Sequence, residues 1–409
     1  MHNESAGTVR AKSSDGAAKL RIAQVTPYFP PVQGGVEKHV YELSAELVRR
    51  GHSVDVYTSN ETRSSRRLSP YGELDGVQVY RFPSLVSLGE FGKVWPSFAA
   101  RIIDGDYEVI HSHVYRHPHT DVSVAVSKFK GARSVMTSHS PFHPFGTRGP
   151  MANALVQVYD RVLAPFSLRA FDWIVSLTPA EVEHLVSLGA RRDRMSVIPH
   201  GVGNENFVHA NSSNFLSRFG LQDGGFALYL GRVHPTKGLE SLLESFAKIS
   251  PGAQSFKLVI AGPTTSPVEG AFEAKLRVEA EKLGIGRSVL FTGPLSEDEK
   301  LAAYESCRFF VLPSLYEPYG IVLLEAAAHG KPLVSTLTDG PASIIEDGVS
   351  GLLIKPGDTE GLAAAMKKLV ADDKLVETMS VNAREMAFQH TWKKVAAQVE
   401  EIYSPGMAS

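Results

Sequence analysis

The chain alternates short β-branched runs with helical stretches, and it runs through that alternation twice. "LRIAQV" (20–25) reads as a buried strand, and "GGVEKHVYELSAELVRRG" (34–51) as an amphipathic helix ended by Gly51. "SVDVYT", "EVIHSH", "RSVMTSH", "DWIVSLT" and "MSVIPH" carry the strand series to residue 200, with helices expected at about 119–130, 152–170 and 179–188. The rhythm restarts with "FALYLGR", a helix from Gly238, "FKLVIAG", a helix near 270–283, "SVLFTG", a helix near 296–306 and "RFFVLPS". "IVLLEAAAHG", "PLVST" and "GLLIKPG" follow, then two final helices over about 359–388 and 391–402. Strands separated by helices predict parallel sheets with helices on both faces. The Gly- and Asn-rich "HGVGNENF" (200–207) lies between the halves. The expectation is an α/β chain of two doubly wound, Rossmann-like domains, 20–203 and 204–390. A disordered tail (1–19) precedes them, and a C-terminal helix (391–409) packs back on the N-terminal domain. In such sheets ligands sit beyond the C-terminal strand ends, so strand-to-helix loops should face a central cleft.

Composition agrees with that plan. A length of 409 residues suits two domains, and 43% hydrophobic with 21% charged residues is a globular balance. The formal net charge of −2 gives no pointer to nucleic acid. The lone cysteine, Cys307 in "SCRFFVL", reads as a small buried hydrophobe. The first twenty residues lack an apolar core and read as a mobile tail rather than a secretory signal. No apolar run approaches the roughly 20 residues that span a bilayer. The expected location is the cytoplasm, with any membrane association peripheral.

Three stretches carry candidate chemistry. In "YEPYGIVLLEA" (316–326), Pro318 and Gly320 favour a turn and a helix follows. Glu317 precedes that helix and Glu325 falls about two turns on, roughly 9–12 Å away at the helical rise. That separation exceeds the roughly 5–5.5 Å of retaining glycosidases and sits around the upper end of the inverting range, so it suits two parts of one long ligand. The amides of Tyr319, Gly320 and Ile321 at the helix start form an anion site. A capping Glu317 with a surface Glu325 fits the same spacing. In "LGRVHPTKGLE", Arg232 and Lys237 occupy the loop after a strand, where two cations suit a diphosphate; a solvated loop would look alike. In "YFPPVQGGVEKHV", Gly34 and Gly35 stand where the first strand turns into the first helix, and either admit a phosphate or make a tight turn. The third glycine of GxGxxG is absent. Histidines crowd "HSHVYRHPH" and "SHSPFHP", but no HExxH occurs and no carboxylates stand ready to complete a metal site. His139 closes a strand and points to the cleft; the others read as structural.

Together these pieces resemble the retaining GT-B glycosyltransferases of the GT4 family, from about residue 20 to 402. "PYFPPVQGGVEKHVYELSAELVRRGHSVDVYT" is similar to the family's opening, and "GRVHPTKGLESLLESF" to its donor-phosphate motif. "PSLYEPYGIVLLEAAAHGKPLVST" resembles its E-x7-E motif, and "IIEDGVSGLLIKPGD" its trailing signature. The resemblance implies transfer of a hexose from a nucleotide sugar, UDP-sugar first and GDP-mannose next, to a glycan or lipid-linked acceptor, with no cofactor and no metal. It gives Glu325 the ribose hydroxyls, Glu317 the transferred sugar, Arg232 and Lys237 the pyrophosphate, and the Tyr319, Gly320 and Ile321 amides a phosphate or sugar hydroxyl. Gly35, beside Gly34, would let the first loop close over the diphosphate, and His139 would lie against the donor sugar. Two departures stand out: no Asp follows the linker in "PHGVGNENF", and "AAAHGKPL" ends in Leu where the family has Val. A nucleotide-sugar epimerase, a sugar phosphorylase and a glycan-binding protein are the competing readings.

The acceptor side is less distinct. The basic loop "NETRSSRRLSP" (60–70) and the aromatic "FGKVWPSFAARI" (91–102) together suggest contact with an anionic membrane, or else a solvated loop beside an ordinary helix. The segment 141–166 is irregular, then helical, and suits the wall of an acceptor groove.

Overall fold

The structure, a computed structural model, describes residues 19–62, 66–87, 93–139, 149–249 and 255–404. Most of the expected tail, the tip of the basic loop (63–65), residues 91–92 and the irregular start of the acceptor segment (140–148) lie outside these. The chain forms two units. One takes its described residues from the stretch up to Pro199 and from Trp392 onward, the other from His200 to Thr391.

The first unit contains β1 (Arg21–Val25), α1 (Gly35–Arg49), β2 (Ser53–Ser59), β3 (Tyr71–Leu74), β4 (Val77–Phe82), β5 (Val86–Ser87), β6 (Lys93–Val94) and α2 (Phe98–Asp104). It continues with β7 (Val109–His113), α3 (Pro118–Lys130), β8 (Arg133–Thr137), α4 (Pro150–Val162), α5 (Ala164–Ala170), β9 (Trp173–Ser176), α6 (Pro179–Ser187) and β10 (Met195–Val197). Eight strands form one sheet in the order β10-β9-β8-β7-β1-β2-β4-β3, parallel except for the β3 edge. Both faces are buried, so successive residues serve opposite layers. Ile22, Val54 and Val109 face a core that holds Val40, Leu43 and Leu47 of α1. Ala23, Tyr57 and Ile110 face a core that holds Phe98 and Ile102 of α2.

The second unit contains α7 (Ser213–Phe219), β11 (Phe226–Leu230), α8 (Leu239–Ile249), β12 (Lys257–Ala261), α9 (Pro267–Lys282), β13 (Val289–Gly293), α10 (Glu297–Ser306) and β14 (Phe309–Leu312). It ends with α11 (Ile321–Ala328), β15 (Leu333–Thr336), α12 (Asp339–Ile344), β16 (Gly351–Ile354), α13 (Thr359–Ala371) and α14 (Asp373–Phe388). Its six strands are all parallel, in the order β13-β12-β11-β14-β15-β16. The last helix, α15 (Trp392–Tyr403), belongs to the first unit. Its Trp392, Val395, Val399 and Ile402 join the core beside α1, and Arg50 Nε donates to its Glu400 at 2.7 Å.

Four details depart from the sequence reading. The β3–β4 hairpin was not foreseen, although Asp75 (φ 50°) and Gly76 (φ 78°) form an Asp-Gly turn of the kind that closes two-residue hairpins. The helix expected over 152–170 breaks at Leu163, where Pro165 starts a new first turn. The helix expected over 359–388 breaks at Asp372, whose carboxylate caps α14 by accepting from the Leu375 amide at 2.9 Å. The described aromatics of 93–102 are not exposed. Trp95 (1% exposed) and Phe98 (0%) lie in the core beneath the sheet, so they offer nothing to a membrane.

That burial has a measurable consequence. Trp95→Ala should cost about 3–5 kcal/mol of unfolding free energy by removing a core aromatic. Denaturant unfolding checks it; a variant as stable as the parent would put Trp95 at the surface.

Candidate functional site

In the second unit the chain enters its sheet at the centre. From β11 it winds outward through β12 and β13, then returns to β14 and winds the other way. The loops after β11 and β14 therefore leave in opposite directions and open a crevice between them. The two loops also touch. Gly238 has φ +68°, and a Cβ there would stand 2.0 Å from the Pro313 carbonyl oxygen, so only glycine allows the approach.

Across that contact Lys237 Nζ donates to Glu317 Oε2 at 2.8 Å, and Ser314 Oγ donates to the same oxygen at 3.0 Å. Glu317 is buried, so its charge depends on these two donors. Arg232, on the same loop as Lys237, donates from Nη1 to Glu269 Oε1 at 3.2 Å and keeps 57% of its side chain exposed. Glu269 opens α9. Burial pushes its carboxyl up, but the Thr265 amide and hydroxyl and the Arg232 charge outweigh that and hold it below the usual value. The loop after β11 thus carries two cations, each anchored by a carboxylate.

Gly320, in the left-handed region at φ 93°, turns the β14 loop into α11. Tyr319 is buried, with its ring 4.7 Å from that of His200. Glu325 is the fifth residue of α11, little more than one turn in rather than two. It is buried, accepts from the Tyr304 hydroxyl at 3.0 Å and has Lys300 Nζ at 3.8 Å. Burial first, and the Glu325 charge second, drive the Tyr304 phenol far above its ordinary value, so it stays a donor.

The first unit repeats the device, with its strand order reversing between β1 and β7. Gly34 and Gly35 are exposed at the start of α1, which has no side-chain cap. His113 ends β7, and His139 follows β8 at φ 55°. A buried polar chain links them. Gln24 Nε2 donates to the Tyr403 hydroxyl at 3.3 Å, leaving Gln24 Oε1 to accept from His113 Nε2 at 2.7 Å. Neutral His113 then holds its lone pair on Nδ1, so His139 Nε2, 3.0 Å away, donates to it. The Tyr403 hydroxyl donates to His111 Nδ1 at 2.7 Å, and His111 Nε2 to Thr137 Oγ1 at 2.8 Å.

His39 of α1 stands edge-on to His139, with ring centroids 4.8 Å apart. One nitrogen from each of His39, His113 and His139 lies within 4.8 Å of the others. A cation there would have to displace the proton shared by His113 and His139.

The sequence candidates thus fall into two groups. Lys237, Glu317, Arg232, Glu325 and the Tyr319–Ile321 backbone surround the reversal in the second unit. Gly34, Gly35 and His139 surround the reversal in the first. Sequence reasoning missed Glu269, Ser314 and Tyr304, and it missed the chain through Gln24, His113 and Tyr403. One signal for that chain was legible: Gln24 is the one polar residue of the run from Ile22 to Val25.

Two parallel, doubly wound units are the GT-B architecture, and solved structures agree. Sucrose-phosphate synthase from Thermosynechococcus elongatus superposes with a TM-score of 0.74 at 20% identity, covering 94% of this chain and 98% of that one. Anabaena HepE, solved with UDP and glucose, superposes at 0.73 and 20% identity, covering 93% and 98%. Among curated proteins, a D-inositol 3-phosphate glycosyltransferase of Acidothermus cellulolyticus is 29% identical over 98% of this chain and 94% of its own length. The O-antigen chain mannosyltransferase C of Escherichia coli is 29% identical over 89% and 92%. The family described as glycosyl transferases group 1 matches residues 217–386, and glycosyltransferase family 4 matches residues 33–205. The chain belongs to these GT4-type glycosyltransferases and is an enzyme of the transferase class.

The buried imidazoles set an acid limit. Burial lowers His39 and His111 from 6.5 to about 3 and takes His113 well below the ordinary value. Once unfolded, each binds a proton below pH 6.5, while folded His39 and His111 stay neutral to about 3 and folded His113 stays neutral well below 6.5. The unfolded state then holds more protons, so this stabilisation is complete above 6.5 and is lost as the pH falls below it. Each imidazole should remove about 1.4 kcal/mol per pH unit in that window. Melts at pH 7, 6 and 5 should show a steadily falling midpoint; a constant midpoint would mean the rings are open to water.

Proposed function

We propose that this glycosyltransferase is a retaining hexosyltransferase. It takes its sugar from a nucleotide sugar, UDP-sugar first and GDP-mannose next, and passes it to a glycan or lipid-linked acceptor without a metal or cofactor. The observation that carries the reading is the Lys237–Glu317 contact at the strand-order reversal, with Arg232 on the same loop. Two cations at the C-terminal strand ends, beside the amides that open α11, suit a diphosphate. The neighbouring HepE structure was solved with UDP and glucose, which supports a nucleotide-sugar donor, and the E. coli relative is named a mannosyltransferase, which supports hexose transfer.

In this reading Arg232 and Lys237 hold the pyrophosphate. The Tyr319, Gly320 and Ile321 amides hold a phosphate or a sugar hydroxyl, Glu317 the transferred sugar and Glu325 the ribose hydroxyls. Gly34 and Gly35 admit the donor's polar groups to the open start of α1. His139 donates from Nε2 to His113, so a neutral ring offers Nδ1 as an acceptor for a sugar hydroxyl. The acceptor oxygen attacks the anomeric carbon on the face the diphosphate leaves. The carbon–oxygen bond breaks with its electron pair going to the phosphate, which takes the acceptor's proton. Arg232, Lys237 and the helix start stabilise the charge growing on that leaving group.

Arg232→Ala is the cleaner probe, because Arg232 is more than half exposed and the buried Glu269 keeps the Thr265 amide and hydroxyl as donors when it goes. Turnover should fall about 100-fold or more while the melting midpoint barely moves. Lys237→Ala should also lose activity, but it leaves Glu317 short of a partner, so some stability goes with it. Product analysis by NMR should show the donor's anomeric configuration kept, and no epimerised nucleotide sugar when acceptor is omitted. Full activity in Arg232→Ala, or an inverted product, would contradict the proposal.

A further inference from the structure

Helix α4 is turned inside out relative to an ordinary surface helix. Two of its polar residues face inward: the Tyr159 hydroxyl donates to Asp121 at 2.9 Å, and Asp160 accepts from Arg116 Nε at 2.8 Å and from the Tyr115 hydroxyl at 3.1 Å. Its apolar residues face out. Met151 (79% exposed), Leu155, Val158 and Val162 recur at steps of four, three and four, which is one face of a helix. Leu163 and Phe166 (75% exposed) carry the row past the break into α5. A soluble surface helix puts its apolar stripe toward the core, so a continuous exposed row calls for an occupant.

The charges beside the row say what kind. From Gly149 to Phe171 the charged residues are Asp160, Arg161 and Arg169, and Asp160 is already held by Arg116. Arg161 and Arg169 line an open depression of about 430 Å³ together with Pro165 and the Arg116-paired Asp160, which leaves both arginines without a carboxylate of their own there. The outward face is therefore apolar and cationic, because its one carboxylate, mostly buried, is already paired with Arg116. A second copy of the chain fits poorly. Pairing two such faces would bring four arginines against two carboxylates that Arg116 already engages, and one row of six apolar side chains falls short of the roughly 20–30 residues a side of a stable protein interface. An anionic bilayer needs only one apolar face and flanking cations.

We propose that α4 and the start of α5 form an interfacial anchor for an anionic lipid surface. The apolar row sinks among the acyl chains, and Arg161 and Arg169 sit at the level of the lipid phosphates. This moves the membrane contact away from residues 91–102, whose Trp95 and Phe98 are buried. Among the described residues no helix is long and apolar enough to cross a membrane, so this anchor lies on the surface. The inference is independent of the donor chemistry and stands or falls on lipid binding alone.

The test is co-sedimentation of the full chain with phosphatidylcholine vesicles, with and without about a third phosphatidylglycerol. The parent should bind the anionic vesicles and hardly touch the neutral ones. Leu155→Glu with Phe166→Glu should cut partitioning about tenfold or more. Val381→Glu, at an exposed apolar residue of the other unit, should leave it unchanged. Arg161→Ala with Arg169→Ala should remove about tenfold of the preference for anionic vesicles. If the double glutamate variant fails to fold, Val158→Ser should still weaken binding. A parent that ignores anionic vesicles overturns the proposal, as does a folded Leu155→Glu/Phe166→Glu variant that binds as well as the parent. So does a parent dimer that the glutamates split while neither form binds lipid.

Discussion

Each of the two large sheets reverses its strand order once, and the candidate site follows from that reversal. A parallel sheet wound from its centre must send two neighbouring strands' loops apart, and the gap between them is the one place where backbone amides, helix starts and loop side chains converge. In the second unit the reversal lies between β11 and β14, and Lys237 and Glu317 meet across it. Gly238 makes the meeting possible, because any side chain there would strike the Pro313 carbonyl. The contact is therefore built into the backbone, and the cations that neighbour it are placed before any ligand arrives.

Preorganisation of this kind is costly to build and cheap to use. Two carboxylates, Glu317 and Glu269, hold Lys237 and Arg232 in place. Glu317 is buried and satisfied by two donors, so the pair keeps its geometry rather than swinging in solvent. The first unit uses neutral groups for the same end. Its chain from Thr137 through His111, Tyr403, Gln24 and His113 dictates which nitrogen of His139 carries the proton. Tyr403 arrives from the last helix, so the end of the chain sets a tautomer beside its first strands.

Much of this was legible in the sequence. The strand–helix rhythm gives two parallel sheets, because few other architectures bury strands on both faces. Gly34, Arg232, Lys237 and Glu317 were legible because motif residues cluster in loops after strands, and Glu325 because its spacing from Glu317 carries it into the helix that follows. What was not legible depends on side-chain direction. "FGKVWPSFAARI" looks like an exposed aromatic patch, yet its Trp and Phe turn inward under the sheet. The apolar residues of "PMANALVQVYDRVLAPF" would be core in most helices, and here they face out because Tyr159 and Asp160 hold the other side. The partners of the site charges, Glu269, Ser314 and Tyr304, lie on other elements and leave no mark in the local pattern.

The central claim is that the loop after β11 and the start of α11 recognise a diphosphate. Titration calorimetry of the full chain with UDP against UMP, and GDP against GMP, tests it directly. Charge-assisted hydrogen bonds to the second phosphate should make one diphosphate bind about tenfold or more tighter than its monophosphate. Arg232→Ala should shrink that gap. Equal affinity for diphosphate and monophosphate, or a gap untouched by Arg232→Ala, would contradict the account.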